Sequence, residues 1–388
     1  MPTHKTIEKQ QLNTKLTNTI STMYENDKRI VMVLDAGGTN FVFSAIQGLQ
    51  QIVEPISIPA VSDNIEGCLL TIVAGFEQVK KVLPEPPVAI SFAFPGPADY
   101  KNGIIGDLPN FSAFRGGVAL GPYLQRHFEI PVYINNDGDL FAYGEALAGA
   151  LPEINAAIKA AGGTKQYKNL LGVTFGTGFG GGVVIDGKLL SGDNGCGGDV
   201  WCFRHKDAPQ CICEEAVGVR GIKRMYAEYS GLNSDDLTPK DICEIADGTR
   251  EGDMDAAKAT FAKLGEVAAN TMAQAVTIAD AVMVMGGGLT GAAKHFVPAM
   301  IKEFNGTIGR FSGETFPRMQ IKVYDLTDMN NIHEFVKDAS VTIKVPVFGD
   351  EIVYDKEKRT ALMISKLGAS KAISLGAYTY ALAQIDAK

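Results

Sequence analysis

The chain has 388 residues, 46% of them hydrophobic and 21% charged, with a net charge of −8. That length predicts about two or three domains, and that mixture a soluble globular protein. The negative balance argues against a general nucleic-acid surface, which needs clustered Lys and Arg, and no apolar run of about 18 residues marks a membrane span.

The first 30 residues read as one amphipathic helix, with Ile7, Leu12, Leu16, Ile20 and Met23 near helical spacing. They lack the apolar core of a signal peptide, so a cytoplasmic location is expected. The six cysteines then read as reduced thiols or metal ligands, not as a disulfide frame. Residues 31–34 and 41–46 predict two strands of a hairpin, joined by Asp35, Ala36, Gly37, Gly38, Thr39 and Asn40. A helix follows over 65–82, then a strand over 87–94 that ends at Pro95-Gly96-Pro97. Residues 121–128 read as a helix, 131–135 as a strand and 137–150 as a helix. The stretch 156–169 reads as a helix end and a surface loop.

The pattern restarts at Leu170 with a strand, a glycine loop and a strand that turns at Asp186-Gly187, a strong hairpin signal. Hairpin-first organisation thus occurs twice and suggests two related α/β halves. A helical region spans 216–279, and a strand over 282–285 runs into Gly286-Gly287-Gly288. A helix begins near Ala292, residues 305–360 are mixed and strand-rich, and the segment SKLGASKAISLGAYTYALA reads as a glycine-broken helix.

Three glycine loops stand out: DAGGTN, GTGFGGG and MGGGLTG. None carries the lysine of a Walker-type phosphate loop. Gly176, Gly178 and Gly181 match G-x-G-x-x-G, but a hairpin and not a helix follows, so the dinucleotide reading fails on context. What remains is phosphate held at hairpin tips, where absent side chains at Gly38 and Gly178 let backbone N–H groups approach oxygens. Thr39 and Thr177 add hydroxyl donors, and Asp35 suits Mg²⁺, directly or through water.

In INNDGDLFAYGE, Asn136 and Asp137 stand where a strand gives way to a helix, the place where ligands sit in open α/β sheets. Asp137 reads either as a helix cap or as the carboxylate that takes a proton from a substrate hydroxyl during phosphoryl transfer. Further on, Cys202, His205, Cys211 and Cys213 form C-x2-H-x5-C-x-C. Thiolates and imidazole suit tetrahedral Zn²⁺, while reduced thiols packed as small apolar groups are the plain alternative; both readings stay open.

With these residues in view, the sequence resembles the ROK family of sugar kinases and sugar-responsive repressors, within the actin-like, hexokinase-like ATPase superfamily. LDAGGTN resembles its first phosphate motif, with Asp35, Gly37, Gly38, Thr39 and Asn40 on the nucleotide side. FPGPAD with LPNF resembles the segment whose asparagine, here Asn110, contacts the sugar. NNDGD resembles the catalytic segment, which makes Asp137 the base and Asn136 a sugar contact. FGTGFGGG resembles the second phosphate motif with Thr177 and Gly178, and MGGGL the adenosine-side loop with Gly286, Gly287 and Gly288. The family's Glu-x-x-His sugar segment is altered, with Asp199 at the glutamate and Cys202 at the histidine. Only Cys211 and Cys213 remain of its later cysteines, Glu215 fits the closing glutamate, and His205 would have to replace the missing zinc ligand.

The resemblance implies an α/β protein of two domains, with ribonuclease H-like halves and a cleft between them. The expected layout is an N-terminal extension over 1–30, a small domain over 31–136 and a large one over 137–388, whose last helix packs back on the small domain. It implies ATP and Mg²⁺ as cofactors and phosphorylation of a hexose or amino sugar at its 6-hydroxyl. Glucose leads; N-acetylmannosamine, N-acetylglucosamine, mannose and fructose are the other acceptors to consider. A sugar-sensing regulator needs a winged helix-turn-helix, and only 30 residues precede Val31. A sensor without turnover is disfavoured by the intact Asp35, Asp137 and GTG loop. An ATPase chaperone or filament protein shares the phosphate hairpins but gives no reason for the NND and CICEE segments. Neither nucleic acid nor membrane is an expected partner, and a homodimer is one assembly open to such a chain.

Overall fold

Nineteen phenylalanines and a wealth of β-branched residues supply the cores of this chain. A computed structural model describes residues 23–37, 39–61, 63–96, 98–106 and 113–388. The expected N-terminal helix falls outside these, except that residues 23–26 form a turn. Asn110 and Gly38 also lie outside the described residues.

In chain order the elements that matter here are β1 (Val31–Ala36), β2 (Asn40–Gln47), β3 (Ile56–Pro59), α1 (Ile65–Val82), β4 (Ala89–Ala93), α2 (Leu120–Phe128), β5 (Val132–Asn135) and α3 (Asp137–Ala148). They continue as β6 (Leu170–Phe175), β7 (Phe179–Ile185), α4 (Met254–Ala279), β8 (Val282–Gly286), β9 (Lys322–Asp325), β10 (Arg359–Ile364) and α5 (Ala369–Asp386). The chain divides into two compact units, and the chain passes between them within β7. One holds the described residues up to Pro152, Gly181–Asp199 and Ser365–Lys388; the other holds Glu153–Gly180 and Val200–Ile364.

The first unit is built on β1. It pairs antiparallel with β2, Asp35 opposite Val42, and parallel with β4, Asp35 opposite Ala93. β4 in turn pairs parallel with β5, Ala93 opposite Asn135. On one face α1 buries Cys68, Ile72, Phe76 and Val79, a helical period. Asn64 caps it, its Oδ1 accepting the N–H groups of Glu66 at 3.0 Å and Gly67 at 3.3 Å. Under α1 lies an aromatic chain in which Phe43 meets Phe76 edge to face at 5.1 Å, and Phe76 meets Phe92 and Phe128 at 6.0 Å. Each such ring contributes about 1.5–3 kcal/mol through burial.

The other face carries α3 and α5, both apolar nearly all round because each is buried on several sides. The sequence expects a break in the last helix, yet α5 is continuous through Gly376. The reason is packing. A Cβ on Gly376 would land on the carbonyl of Leu140, and one on Gly144 would land on that of Ala372. The two glycines let the helix backbones touch. The expected helix over 137–150 instead splits at Gly149, where the Glu145 carboxylate accepts the Ala150 N–H at 2.8 Å and caps a new helix, Ala150–Ala160.

In the second unit β6, β8, β10 and β9 lie parallel in that order. The helix α4 is buried along most of its length, and Asp253 caps it by accepting the Ala256 N–H at 2.9 Å. The stretch read as strand-rich does form two exposed hairpins, Thr307–Gly309 with Thr315–Pro317 and Ser340–Lys344 with Glu351–Asp355. Among the described residues no helix is long and apolar enough to cross a membrane.

The α3–α5 contact generates a test. Gly376→Val should lower the unfolding free energy by about 1–3 kcal/mol, the usual cost of overpacking. A urea titration checks it, and an unchanged midpoint would show that the helices have room to part.

Candidate active site

In the first unit three parallel strands end side by side. Register places Asp35, Ala93 and Asn135 level across β1, β4 and β5. The carboxyl ends of such strands are where ligands bind in open sheets. Here they deliver the Asp35 turn, the Phe94–Gly96 segment and the NND segment to one edge.

Asn136 is the residue that caps α3. Its Oδ1 accepts the Gly138 N–H at 2.7 Å. Asp137 is therefore the first helical residue and not the cap, and its carboxylate stays exposed. One of its oxygens lies 2.8 Å from the Gly138 nitrogen, at the N-terminus of α3. Gly138 and Gly182 make this placement possible. A Cβ on Gly138 would meet the Gly181 backbone at 2.6 Å, and one on Gly182 would meet the Asp139 Cα at 2.7 Å.

Around Asp137 the structure gathers residues that the sequence reading passed over. Tyr100 donates to the Phe94 carbonyl at 3.0 Å and shares a hydrogen bond with Asn136. Burial raises its pKa, and Asp137, Asp139 and Asp199 act on it in the same direction. Asp199 thus stands in the same constellation as Asp137. Asp139 is 4% exposed, and its Oδ1 has no hydrogen-bond partner. Burial first, then Asp199 and Asp137, push its pKa up to about 8. The second acid of NNDGD was the available signal for it.

Asp35, Thr39 and Asn40 sit at the β1–β2 tip with surface open to solvent, beside a half-exposed Gly37. The protein around the Asp35 carboxylate nonetheless raises its pKa by desolvation. A cation beside it would offset that cost, so the position fits the Mg²⁺ the sequence reading assigned there.

In the second unit β6 and β8 run parallel, with Thr174 opposite Gly286. The loop with Thr177 and Gly178 therefore lies next to the loop of Gly286, Gly287 and Gly288. Glu214, another residue the sequence reading missed, holds the first of these loops: its Oε2 accepts the Phe179 N–H at 2.9 Å. A Cβ on Gly178 would come within 2.6 Å of that same oxygen. Glu215 is half-exposed, with Arg220 at 3.6 Å. The signal here was the doubled acid of CICEE, which the sequence reading resolved in favour of Glu215 alone.

The four expected zinc ligands do not converge. Cys213 is buried, donates to the carbonyls of Val200 at 3.3 Å and Trp201 at 3.2 Å, and has its pKa pushed up to about 11 by burial. His205 Nδ1 accepts the N–H groups of Asp207 at 3.1 Å and Ala208 at 3.2 Å, Cys202 is exposed and Cys211 half-buried. Among the described residues the ligand atoms that do fall within 4.8 Å of one another belong to Cys243, Asp247 and His295. There Lys294 at 2.8 Å and His295 at 2.7 Å already meet the Asp247 charge.

One stability test follows from Asp139. Its pKa is above the ordinary carboxylate range in the folded chain and returns to that range on unfolding. The unfolded state therefore loses the proton first, and stability falls as pH rises from about 4 to about 8. Asp139→Asn removes this penalty, so its melting temperature should gain on the parent's steadily across that window. A pH-independent difference between the two would contradict the assignment.

The comparisons with known proteins give the family. The ROK family model matches residues 31–328. The N-acetyl-D-glucosamine kinase of Aliivibrio salmonicida is 26% identical over 325 residues, covering 73% of this chain and 97% of that protein. The crystal structure of a glucokinase from Parabacteroides distasonis superposes with a TM-score of 0.84 at 55% identity, over 93% of this chain and 99% of that one. A ROK family glucokinase from Streptomyces griseus, solved with glucose and AMPPNP, has a TM-score of 0.58 at 16% identity over 90% of this chain and 98% of that one, a likeness of fold. The chain belongs to the ROK family.

Proposed function

We propose that the protein is an ATP-dependent sugar kinase that phosphorylates the 6-hydroxyl of a hexose, with Asp137 as the general base. The observation that carries this is the placement of Asp137: exposed, first in a helix capped by Asn136, at the carboxyl end of a parallel sheet beside the Asp35 turn. Family membership supplies the reaction class, and 55% identity to a glucokinase over nearly the whole chain makes glucose the first acceptor to test.

Phosphoryl transfer depends mostly on positioning and on charge stabilisation. Asn136 and Asp199 orient the sugar hydroxyl, and Asp137 takes its proton as the oxygen attacks phosphorus. The backbone of the Gly178 loop, held by Glu214, offers N–H groups to phosphate, and Thr177 adds a hydroxyl donor; in the first unit, Thr39 offers a hydroxyl at the β1–β2 tip. The Gly286–Gly288 loop lies on the adenosine side. Asp35 would hold Mg²⁺, directly or through water, and the ion would supply charge neutralisation for the phosphate oxygens.

Asp137→Asn keeps the shape and removes the base. Turnover should fall by at least about 100-fold while sugar affinity is kept. Coupled ADP release on glucose, N-acetylglucosamine, N-acetylmannosamine, mannose and fructose checks both variant and parent, and near-normal turnover by the variant would overturn the role.

Gly178→Val drives a side chain into the Glu214 carboxylate and so opens the loop. ATP affinity should drop by about 10-fold or more, the effect of roughly 1.4 kcal/mol, with sugar affinity unchanged. Calorimetry that shows equal loss of both ligands in a folded variant would contradict the phosphate role.

A further inference from the structure

We propose that Asp139 is a positioning residue that works in its protonated form, a neutral carboxylic acid kept behind the catalytic carboxylate. The proposal deepens the kinase reading and rests on it.

The geometry comes first. Asp139 is 4% exposed and its Oδ1 is sealed from solvent without a hydrogen-bond partner. Among the described residues it has no ion pair. A carboxylate in such a place is costly unless a cation or several donors compensate it. The fields that reach it come from two further acids, Asp137 on its own helix and Asp199 on the loop ahead of Val200. From the other elements it faces phenols: Tyr100 after β4, and Tyr380 on α5. It also borders a cavity of about 770 Å³ whose wall includes Asp99, Asp193 and Lys101. Lys101 lies on that wall without pairing to it.

Three acids so placed do not all ionise together, because like charges in one site push each other's protons on. Asp137 is exposed at a helix N-terminus, and Asp199 is half-exposed. Asp139 is the most deeply buried of the three, with one carboxylate oxygen sealed from solvent and unpartnered, so it keeps the proton. In that state it carries the shape of an amide and adds no charge. The base can then face the triphosphate of ATP with a single neighbouring carboxylate, Asp199. When Asp139 ionises, a further negative charge lies two residues from the base, opposing the approaching phosphates and pushing Asp137 out of place.

The test compares parent, Asp139→Asn and Asp139→Ala in kcat/KM from about pH 6 to about pH 9.5, with sugar and ATP–Mg²⁺. Asparagine mimics the protonated acid at every pH. The parent should lose activity above about pH 8, toward tenfold per pH unit. Asp139→Asn should hold at least half of the parent's activity at neutral pH and lack that alkaline limb. Asp139→Ala, which leaves a void, should lose activity at all pH values alike. A limb that persists in Asp139→Asn, or a tenfold loss in that folded variant at neutral pH, would overturn the proposal. An activity-independent readout separates this from failure of the kinase reading. The carboxyl ¹³C signal of the parent that vanishes in Asp139→Asn should titrate near pH 8, even if no sugar is turned over; titration near pH 4 would overturn the proposal by itself.

Discussion

The close approach of α3 to its neighbours is the constraint on which the first unit depends. A helix that carries the proposed base, Asp137, must be fixed along its axis to within a fraction of an ångström, since a misplacement of about 1 Å can cost about 100-fold in rate. Side-chain packing alone leaves more play than that. Here backbone meets backbone: Gly144 and Gly376 bring α3 against α5, and Gly138 and Gly182 bring its first turn against β7. Each contact excludes a Cβ. The helix cannot slide without a carbonyl striking a backbone.

That rigidity has an electrostatic consequence. Pressing the first turn of α3 against β7 buries Asp139 while leaving Asp137 exposed at the helix tip. Two carboxylates two residues apart thus occupy opposite environments. One is solvated and faces the helix N-terminus; the other is desolvated and surrounded by acids and phenols. Pairs of acids divided in this way are a common basis for separate roles in one site. In the second unit the corresponding device is Glu214, whose carboxylate accepts the Phe179 N–H and so ties down a glycine loop.

Much of this was legible in the sequence because the signals were local. The Ile65–Val82 helix shows its apolar period and its Asn64 cap, and the structure has the same bounds. The turn at Asp186-Gly187 was readable because both residues adopt positive φ, 48° and 74°, as a tight hairpin demands. What was not legible depends on distant partners. Gly376 looks like a helix breaker until Leu140 is seen beneath it. Asp139 looks like another surface acid until its burial is known. Cys202, His205, Cys211 and Cys213 have ligand-like spacing, but Cys213 points its thiol at the carbonyls of Val200 and Trp201. Spacing fixes how close residues are along the chain and leaves open where their side chains turn.

The most direct measurement is a crystal structure of the protein with glucose and a non-hydrolysable ATP analogue. The account predicts the sugar 6-hydroxyl within about 3 Å of an Asp137 carboxylate oxygen, the reach a general base needs, and the γ-phosphoryl group in line beyond it. A sugar bound with that hydroxyl turned away from Asp137, or a nucleotide whose phosphates lie away from the Gly178 loop, would contradict it.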